Sequence, residues 1–224
     1  MSGIVGIAAN STARYIAFTV CLTALKTPVN TGIQWAIGSD RIVGRNNLVR
    51  ECLEQGAEWL FFLDDDHAFG QDILMKLLSH EKDIVASLYL QRIKPFAPIA
   101  YSDFDREKGV YTPIDLTNYG KDDLVPARAA GTGGMLIRSE VFRALEDPWF
   151  HLKDGIGSED LVFCDKAIEA GFEIYCDLGT PLGHIDPVII WPNYFEEEKQ
   201  WGVGFNLADN FNLYIPIQEP EIEQ

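Results

Sequence analysis

Asp64, Asp65 and Asp66 follow one another directly, and His67 comes next. Three adjacent carboxylates repel one another, so a fold that holds them together gains by supplying a cation. Oxygen donors suit magnesium or manganese, and a neighbouring imidazole tilts the choice toward manganese. A metal held there could bridge a diphosphate and stabilise it as a leaving group. In extended backbone Asp64 and Asp66 project to one side, so one carboxylate can take the metal and another a ribose hydroxyl. The plainer alternative is a solvated acidic turn. The residues that precede the acids argue against it. Trp59-Leu60-Phe61-Phe62-Leu63 is an unbroken apolar run, the pattern of a strand buried on both faces of a parallel sheet. Open α/β sheets bind ligands at the carboxyl ends of such strands.

Other stretches could do chemistry around that edge. Glu159-Asp160 follows Ser158, an expected N-cap. As first-turn acids the pair complements a helix dipole; as a site pair, one carboxylate serves as general base. Gly44-Arg45-Asn46-Asn47 reads as a helix start, where backbone amides and a guanidinium suit a diphosphate, or as an ordinary helix start with a surface arginine. Gly131-Thr132-Gly133-Gly134 lets backbone approach a ligand closely, or is a tight turn before a strand. It lacks the Gly-Lys-Ser/Thr ending of a phosphate loop. His184 follows a strand and a turn. Asp65-Asp66-His67 also reads as Asp-x-His, with His67 as a metal neighbour. His80 belongs to a helix end, and His151 has no assigned role.

The elements that must position these residues are read from periodicity. Ile4–Ala9 and 32–38 read as strands. Tyr15, Phe18, Leu22 and Leu25 recur at helical spacing, as do Leu48, Cys52 and Leu53 on a helix expected from about Arg45 to Gln55. The central strand, a helix near 72–79 and a strand over 83–90 follow. Strands and helices alternating in this way predict an α/β fold with a mainly parallel sheet covered on both faces. Residues 91–128, broken by Pro95, Pro98, Pro113 and Pro126, predict loops and short strands that wall a site. Met135–Arg138 is a strand, Ser139 caps a short helix, the helix of Glu159 ends at Gly171, and Phe172–Cys176 is a further strand. After His184 no regular element is evident. The domain is therefore drawn as 1–185, with an acidic, aromatic C-terminal extension over 186–224 that packs on the domain or acts as a lid.

The totals bound the answer. The chain has 224 residues, 47% of them hydrophobic and 12% aromatic, enough for one domain with a full core. Its net charge of −16 argues against general attraction to nucleic acid or anionic membrane as the main binding force. The last segment carries eight carboxylates against Lys199 alone. Cys21, Cys52, Cys164 and Cys176 form no CxxC pair, and the first three fall on helix faces as buried free thiols. No signal peptide or spanning segment is evident, which suggests a soluble cytoplasmic protein, in host cytoplasm if phage-encoded.

Taken in order, these motifs resemble the family 2-like glycosyltransferases with the GT-A fold, over most of residues 4–185, and in particular the compact stand-alone members, many of them phage-encoded. Ile4–Asn10 is similar to the first nucleotide-binding strand and its loop, with Ala8 where many members have proline. Gly44-Arg45-Asn46-Asn47 resembles the family's Ala-Arg-Asn helix start, and Phe61-Phe62-Leu63-Asp64-Asp65-Asp66 its Phe-Leu-Asp-x-Asp strand end. Gly133 through Phe142 resembles the strand and helix after the acceptor region. Ser158-Glu159-Asp160 resembles the Glu-Asp helix, followed by Gly183-His184. The resemblance implies a Rossmann-like sheet with an irregular acceptor-side region, and a metal-dependent transfer of sugar from a nucleotide-diphosphate sugar, UDP-sugar favoured, to an acceptor hydroxyl. By resemblance Asp66 and His184, with Asp64, ligate manganese, or magnesium in its place. Ala8, Asn10, Arg45, Asp64, Asp65, Gly133 and Gly134 line the donor. Glu159 and Asp160 form the catalytic pair, Asp160 being the base of an inverting reaction; the Asp-x-His reading keeps a retaining one open. Where members often carry an Asp that reads uracil, the chain has Gly38-Ser39-Asp40. The acceptor is a glycan or a hydroxymethylated base in phage DNA, the latter needing a basic rim from Arg92, Lys94, Arg106, Lys108, Lys121 and Arg128. The competing readings are a catalytically silent nucleotide- or sugar-binding module and a nucleotidyltransferase, which would need a lysine-rich glycine loop that Ala8-Ala9-Asn10-Ser11-Thr12 lacks.

Overall fold

The computed structural model describes residues 2–9, 15–38, 40–185 and 189–206. Asn10 and the end of the C-terminal extension lie outside the described residues. The first half alternates strand and helix: β1 (Gly3–Ala9), α1 (Ile16–Ala24), β2 (Thr31–Ile37), α2 (Arg41–Glu54), β3 (Trp59–Asp64), β4 (His67–Ala68), α3 (Ile73–Ser79) and β5 (Ile84–Ser87). The proline-broken stretch forms β6 (Ala100–Asp105), β7 (Val110–Pro113), one 3-10 turn at Leu116–Asn118, β8 (Leu124–Ala127) and β9 (Ala129–Ala130). There follow β10 (Gly134–Arg138), α4 (Ser139–Ala144), α5 (Glu159–Glu169), β11 (Ile174–Asp177), β12 (Gly183–Ile185), β13 (Ile189–Phe195) and β14 (Gln200–Asn206).

Seven strands form the main sheet in the order β2-β1-β3-β10-β5-β11-β8. β1 pairs in parallel with β2 and β3, and β5 with β11, while β10 and β8 run against their neighbours. The sheet is thus mainly parallel, with helices on both faces. The apolar run of β3 has a simple cause. Leu60 and Phe62 enter a core shared with Leu48, Cys52, Phe142 and Phe163. Trp59, Phe61 and Leu63 enter the opposite core with Phe18, Leu74 and Leu77. Each such side chain contributes about 1.5–3 kcal/mol by leaving water, so neither face tolerates a polar residue. The same alternation continues past Leu63. Asp64, next in the series of Leu60 and Phe62, turns toward the face that carries α2 and α5.

Two expectations are corrected. α2 starts at Arg41 rather than Arg45, because the Asp40 carboxylate accepts the Ile42 N–H at 2.9 Å and caps the helix there. Arg45 therefore sits in the second turn, and Gly44–Asn47 is no helix N-terminus. Beyond His184 the described residues are regular: β12, β13 and β14 join β4 in a four-stranded antiparallel sheet. Pro192 and the acidic Glu196–Glu198 turn obscure the alternation in the sequence. The β13–β14 hairpin packs Ile190 and Val203 onto Leu90, and Trp201 Nε1 donates to the Tyr119 carbonyl at 3.2 Å. All four cysteines are free, with Cys52, Cys164 and Cys176 buried. Among the described residues no helix is long and apolar enough to cross a membrane.

Candidate active site

The acids and the glycine run meet because β10 is antiparallel to β3: its first residue Gly134 lies opposite Leu63, and the Asp64 N–H donates to the Gly133 carbonyl at 3.1 Å. After Asp64 the chain turns and enters β4, which pairs with β12 so that His67 faces His184. The Ile185 N–H secures the turn by donating to the Asp66 carbonyl at 2.8 Å. The two imidazoles stack, centroids 4.7 Å apart and planes 25° apart. One ligand atom each from Asp66, His67 and His184 falls within 4.8 Å of the others.

The protonation of this trio follows from its partners. His184 Nδ1 lies 2.9 Å from the Leu90 carbonyl, which can only accept, so Nδ1 carries the proton and Nε2 presents a lone pair. Arg92 uses that lone pair: its Nε donates to His184 Nε2 at 2.8 Å, and its Nη2 donates to Asp66 Oδ2. Asp66 and His184 are 3.6 Å apart and do not bond directly. Burial opposes the Asp66 charge, but the facing positive charge, the Arg92 guanidinium that donates to it, outweighs it and holds the carboxyl well below the usual carboxylate range. His67 is 1% exposed; burial pulls its pKa down to about 4 despite Asp66 and Asp64, so the ring is neutral. Neither of its ring nitrogens has a hydrogen-bond partner, an unusual state for a buried polar group.

Glycines make room for this cluster. A Cβ on Gly133 would lie 2.5 Å from His67 Cε1 and 3.2 Å from Asp64 Oδ2. One on Gly131 would lie 1.9 Å from the Tyr89 hydroxyl oxygen, and one on Gly134 2.4 Å from Leu182. The motif is spaced by side chains that fill the glycine positions. Tyr89 packs its ring edge-on to both His67 and His184.

Beside the trio lies a buried ionic bridge. Arg45, 1% exposed, donates from Nη1 to Glu159 Oε1 at 2.6 Å and from Nη2 to both oxygens of Asp64 at 3.1 and 3.2 Å. Arg41 adds a second contact to Glu159 at 3.2 Å. Burial disfavours the Arg45 charge, but Asp64, Asp160 and Glu159 more than compensate and raise its pKa. Asp160 follows Glu159 on the first turn of α5, half-buried, and its Oδ1 accepts the Leu161 N–H at 2.9 Å and the Ser158 hydroxyl. Burial first, and then the Asp160 charge, raises the Tyr101 hydroxyl pKa.

The structure thus brings together Asp66 and His184, and adds His67. It pairs Asp64 with Arg45, outside that trio. Ala8 lies beside Asp64 in the β1–β3 register, and Asp65 is half-buried in the turn. Arg92 and Tyr89 were not assigned to the site from sequence. Arg92 stood among the residues of a basic rim, and no spacing links either residue to the acids.

A divalent cation suits the trio on two observations. His67 offers buried nitrogens with nothing to bond, and His184 presents its lone pair beside an ionised Asp66. One carboxylate and two imidazoles form a donor set for manganese or another transition ion and a poor one for magnesium.

No protein-family model matches the chain, and no curated protein matches it either. Solved structures do. A197 from STIV superposes with a TM-score of 0.59 at 18% identity over 96% of this chain and 98% of its own. S. aureus TarS superposes with a TM-score of 0.51 at 13% identity over 79% of this chain, which spans only 35% of TarS. The architecture is that of GT-A glycosyltransferase structures.

Proposed function

We propose that the chain is a divalent-metal-dependent glycosyltransferase that moves a sugar from a nucleoside diphosphate sugar, UDP-sugars first, to an acceptor hydroxyl with inversion. The observation that carries this reading is the convergence, at the carboxyl edge of a GT-A sheet, of the Asp66/His67/His184 trio with the bridge that ties Asp64 to the Glu159-Asp160 helix start. A divalent ion held by Asp66, His67 and His184, manganese before magnesium, supplies the positive charge that stabilises a departing diphosphate.

The chain's own residues do the rest. Asp64 and Asp65, with Ala8 beside them and the Gly133–Gly134 backbone opposite, line the nucleoside side of the donor. Arg45 is too buried to meet a diphosphate in solvent. It acts as a positioning residue that locks Asp64 and Glu159 to each other, and through Glu159 it fixes the α5 terminus that carries Asp160. Asp160 takes the acceptor proton on Oδ2, since its two hydrogen bonds engage Oδ1. As the acceptor oxygen bonds to the anomeric carbon, the bond from that carbon to the diphosphate breaks. Its electron pair leaves with the diphosphate, and the proton ends on Asp160.

Internal pairing favours a glycan acceptor over DNA. Arg106 and Arg128 are paired with Asp165, Lys108 with Asp105 and Lys121 with Glu196. Little of the basic rim remains to meet phosphates, in a chain of net charge −16.

The test is to incubate the purified protein with manganese and a panel of nucleotide sugars and to measure nucleoside diphosphate release, with EDTA and Asp66→Ala as controls. Release from one donor, lost in both controls, is expected. A panel that is neither cleaved nor bound overturns the reading.

A further inference from the structure

We infer that Arg92 is an internal cation that occupies the Asp66/His184 pair in the metal-free protein and competes with a divalent ion for it. This rests on the metal reading above. Arg92 bonds the same two atoms that an ion would need, Asp66 Oδ2 and His184 Nε2. Occupation is mutually exclusive, because the Nε2 lone pair is single and Nδ1 is committed to the Leu90 carbonyl. The guanidinium leaves the third group out: both His67 nitrogens stay unpartnered. An ion that engages all three therefore satisfies a buried group that Arg92 cannot.

The geometry also allows exchange. Arg92 lies on the segment between β5 and β6, whose root is pinned. Leu90 is buried under Ile190 and Val203, Leu90 bridges Pro98, and the Gln91 N–H donates to the Ala97 carbonyl at 2.9 Å. The Arg92 side chain itself is 36% exposed. It can rotate outward without moving that root. Until it does, Arg92 offsets the repulsion among Asp64, Asp65 and Asp66 and keeps Asp66 and His184 in ligating positions. The consequence is a threshold: metal affinity is weakened by the cost of breaking the Arg92 contacts.

The experiment titrates manganese into metal-free wild type, Arg92→Gln and Arg92→Lys at one pH and ionic strength, following free manganese by electron paramagnetic resonance, and records melting with and without the metal. Charge-assisted hydrogen bonds of this kind place the expected gain in Arg92→Gln at roughly 10- to 100-fold tighter binding. Arg92→Lys, which keeps the charge without the fork, is expected to fall between. Metal-free Arg92→Gln should melt below wild type, and manganese should raise its melting temperature more than it raises that of wild type. If wild type binds manganese and Arg92→Gln binds it equally or more weakly, the inference fails and the metal reading stands. If no form binds manganese, the metal reading falls and the inference falls with it.

Discussion

His67 and His184 stack ring on ring because β4 and β12 pair with these two residues directly opposite. The stack turns two distant histidines into neighbours of Asp66, and it needs at least one ring neutral, since two imidazolium ions at that separation would repel. His67 supplies that neutrality through its burial. Replacing either histidine by glutamine, or Asp66 by asparagine, should weaken manganese binding by roughly 10- to 100-fold or more, as read by calorimetric titration. Unchanged affinity in His67→Gln would remove that ring from the ligand set.

Gly133 has no side chain because the His67 ring fills the place of one. Gly133→Ala should therefore cost about 1–3 kcal/mol by overpacking and displace the imidazole, with manganese binding lost. Gly70, whose Cβ would meet nothing within 4 Å, provides the control: Gly70→Ala should leave both quantities nearly unchanged. Urea denaturation of the two variants checks the difference.

Arg45 and Glu159 are enclosed, and Asp64 is half-buried beside them. Removing one member of a buried ionic group leaves the others unpaired, at a cost of about 3–5 kcal/mol. Arg45→Ala should lose stability on that scale, and Arg45→Lys should recover little of it, because an ammonium cannot span Glu159 and Asp64 at once. Full rescue by lysine in equilibrium denaturation would contradict the bridge.

Stability of the metal-free protein should depend on pH through His67. Its pKa is about 4 when folded and about 6.5 when unfolded, so on acidification the unfolded chain takes up the proton first. The contribution of the buried neutral ring is complete above about pH 6.5 and is lost progressively down to about 4, about 3 kcal/mol in all. Asp66 acts in a different window, below its unfolded value of about 3.9. Urea midpoints between pH 7 and 4.5 in EDTA should fall in wild type and stay flatter in His67→Gln.

Much of this was legible in the sequence. The Trp59–Leu63 run placed a doubly buried strand, and with it the acids at a carboxyl edge, because two cores leave no room for polar alternation. Ser158 before Glu159 marked the start of α5. Four features were not legible. Arg45 read as a helix start because the capping role of Asp40 is a matter of one hydrogen bond. In the β13–β14 hairpin, β13 was hidden by Pro192 and by side chains that are apolar on both of its faces. Most of all, Arg92 reaches Asp66 and His184 only through the β5–β6 segment folding back under the hairpin, a long-range contact without a local signature. The same holds for the direction of Asp64: adjacency in sequence suggested a shared metal, whereas strand parity sends it to Arg45.

Asp160 should separate binding from transfer. Asp160→Asn is expected to retain manganese and nucleotide affinity within about threefold and to lose transfer by about 10²–10⁴-fold, the usual contribution of a positioned base. Transfer at wild-type rate in this variant would assign the base elsewhere.

The most direct measurement is anomalous diffraction at the manganese edge from crystals grown with manganese and a nucleoside diphosphate. The account predicts one peak bound by Asp66, His67 and His184, with the Arg92 guanidinium withdrawn and Asp64 still on Arg45. A peak held by Asp64 and Asp65 instead, or no peak while Arg92 remains between Asp66 and His184, would contradict it.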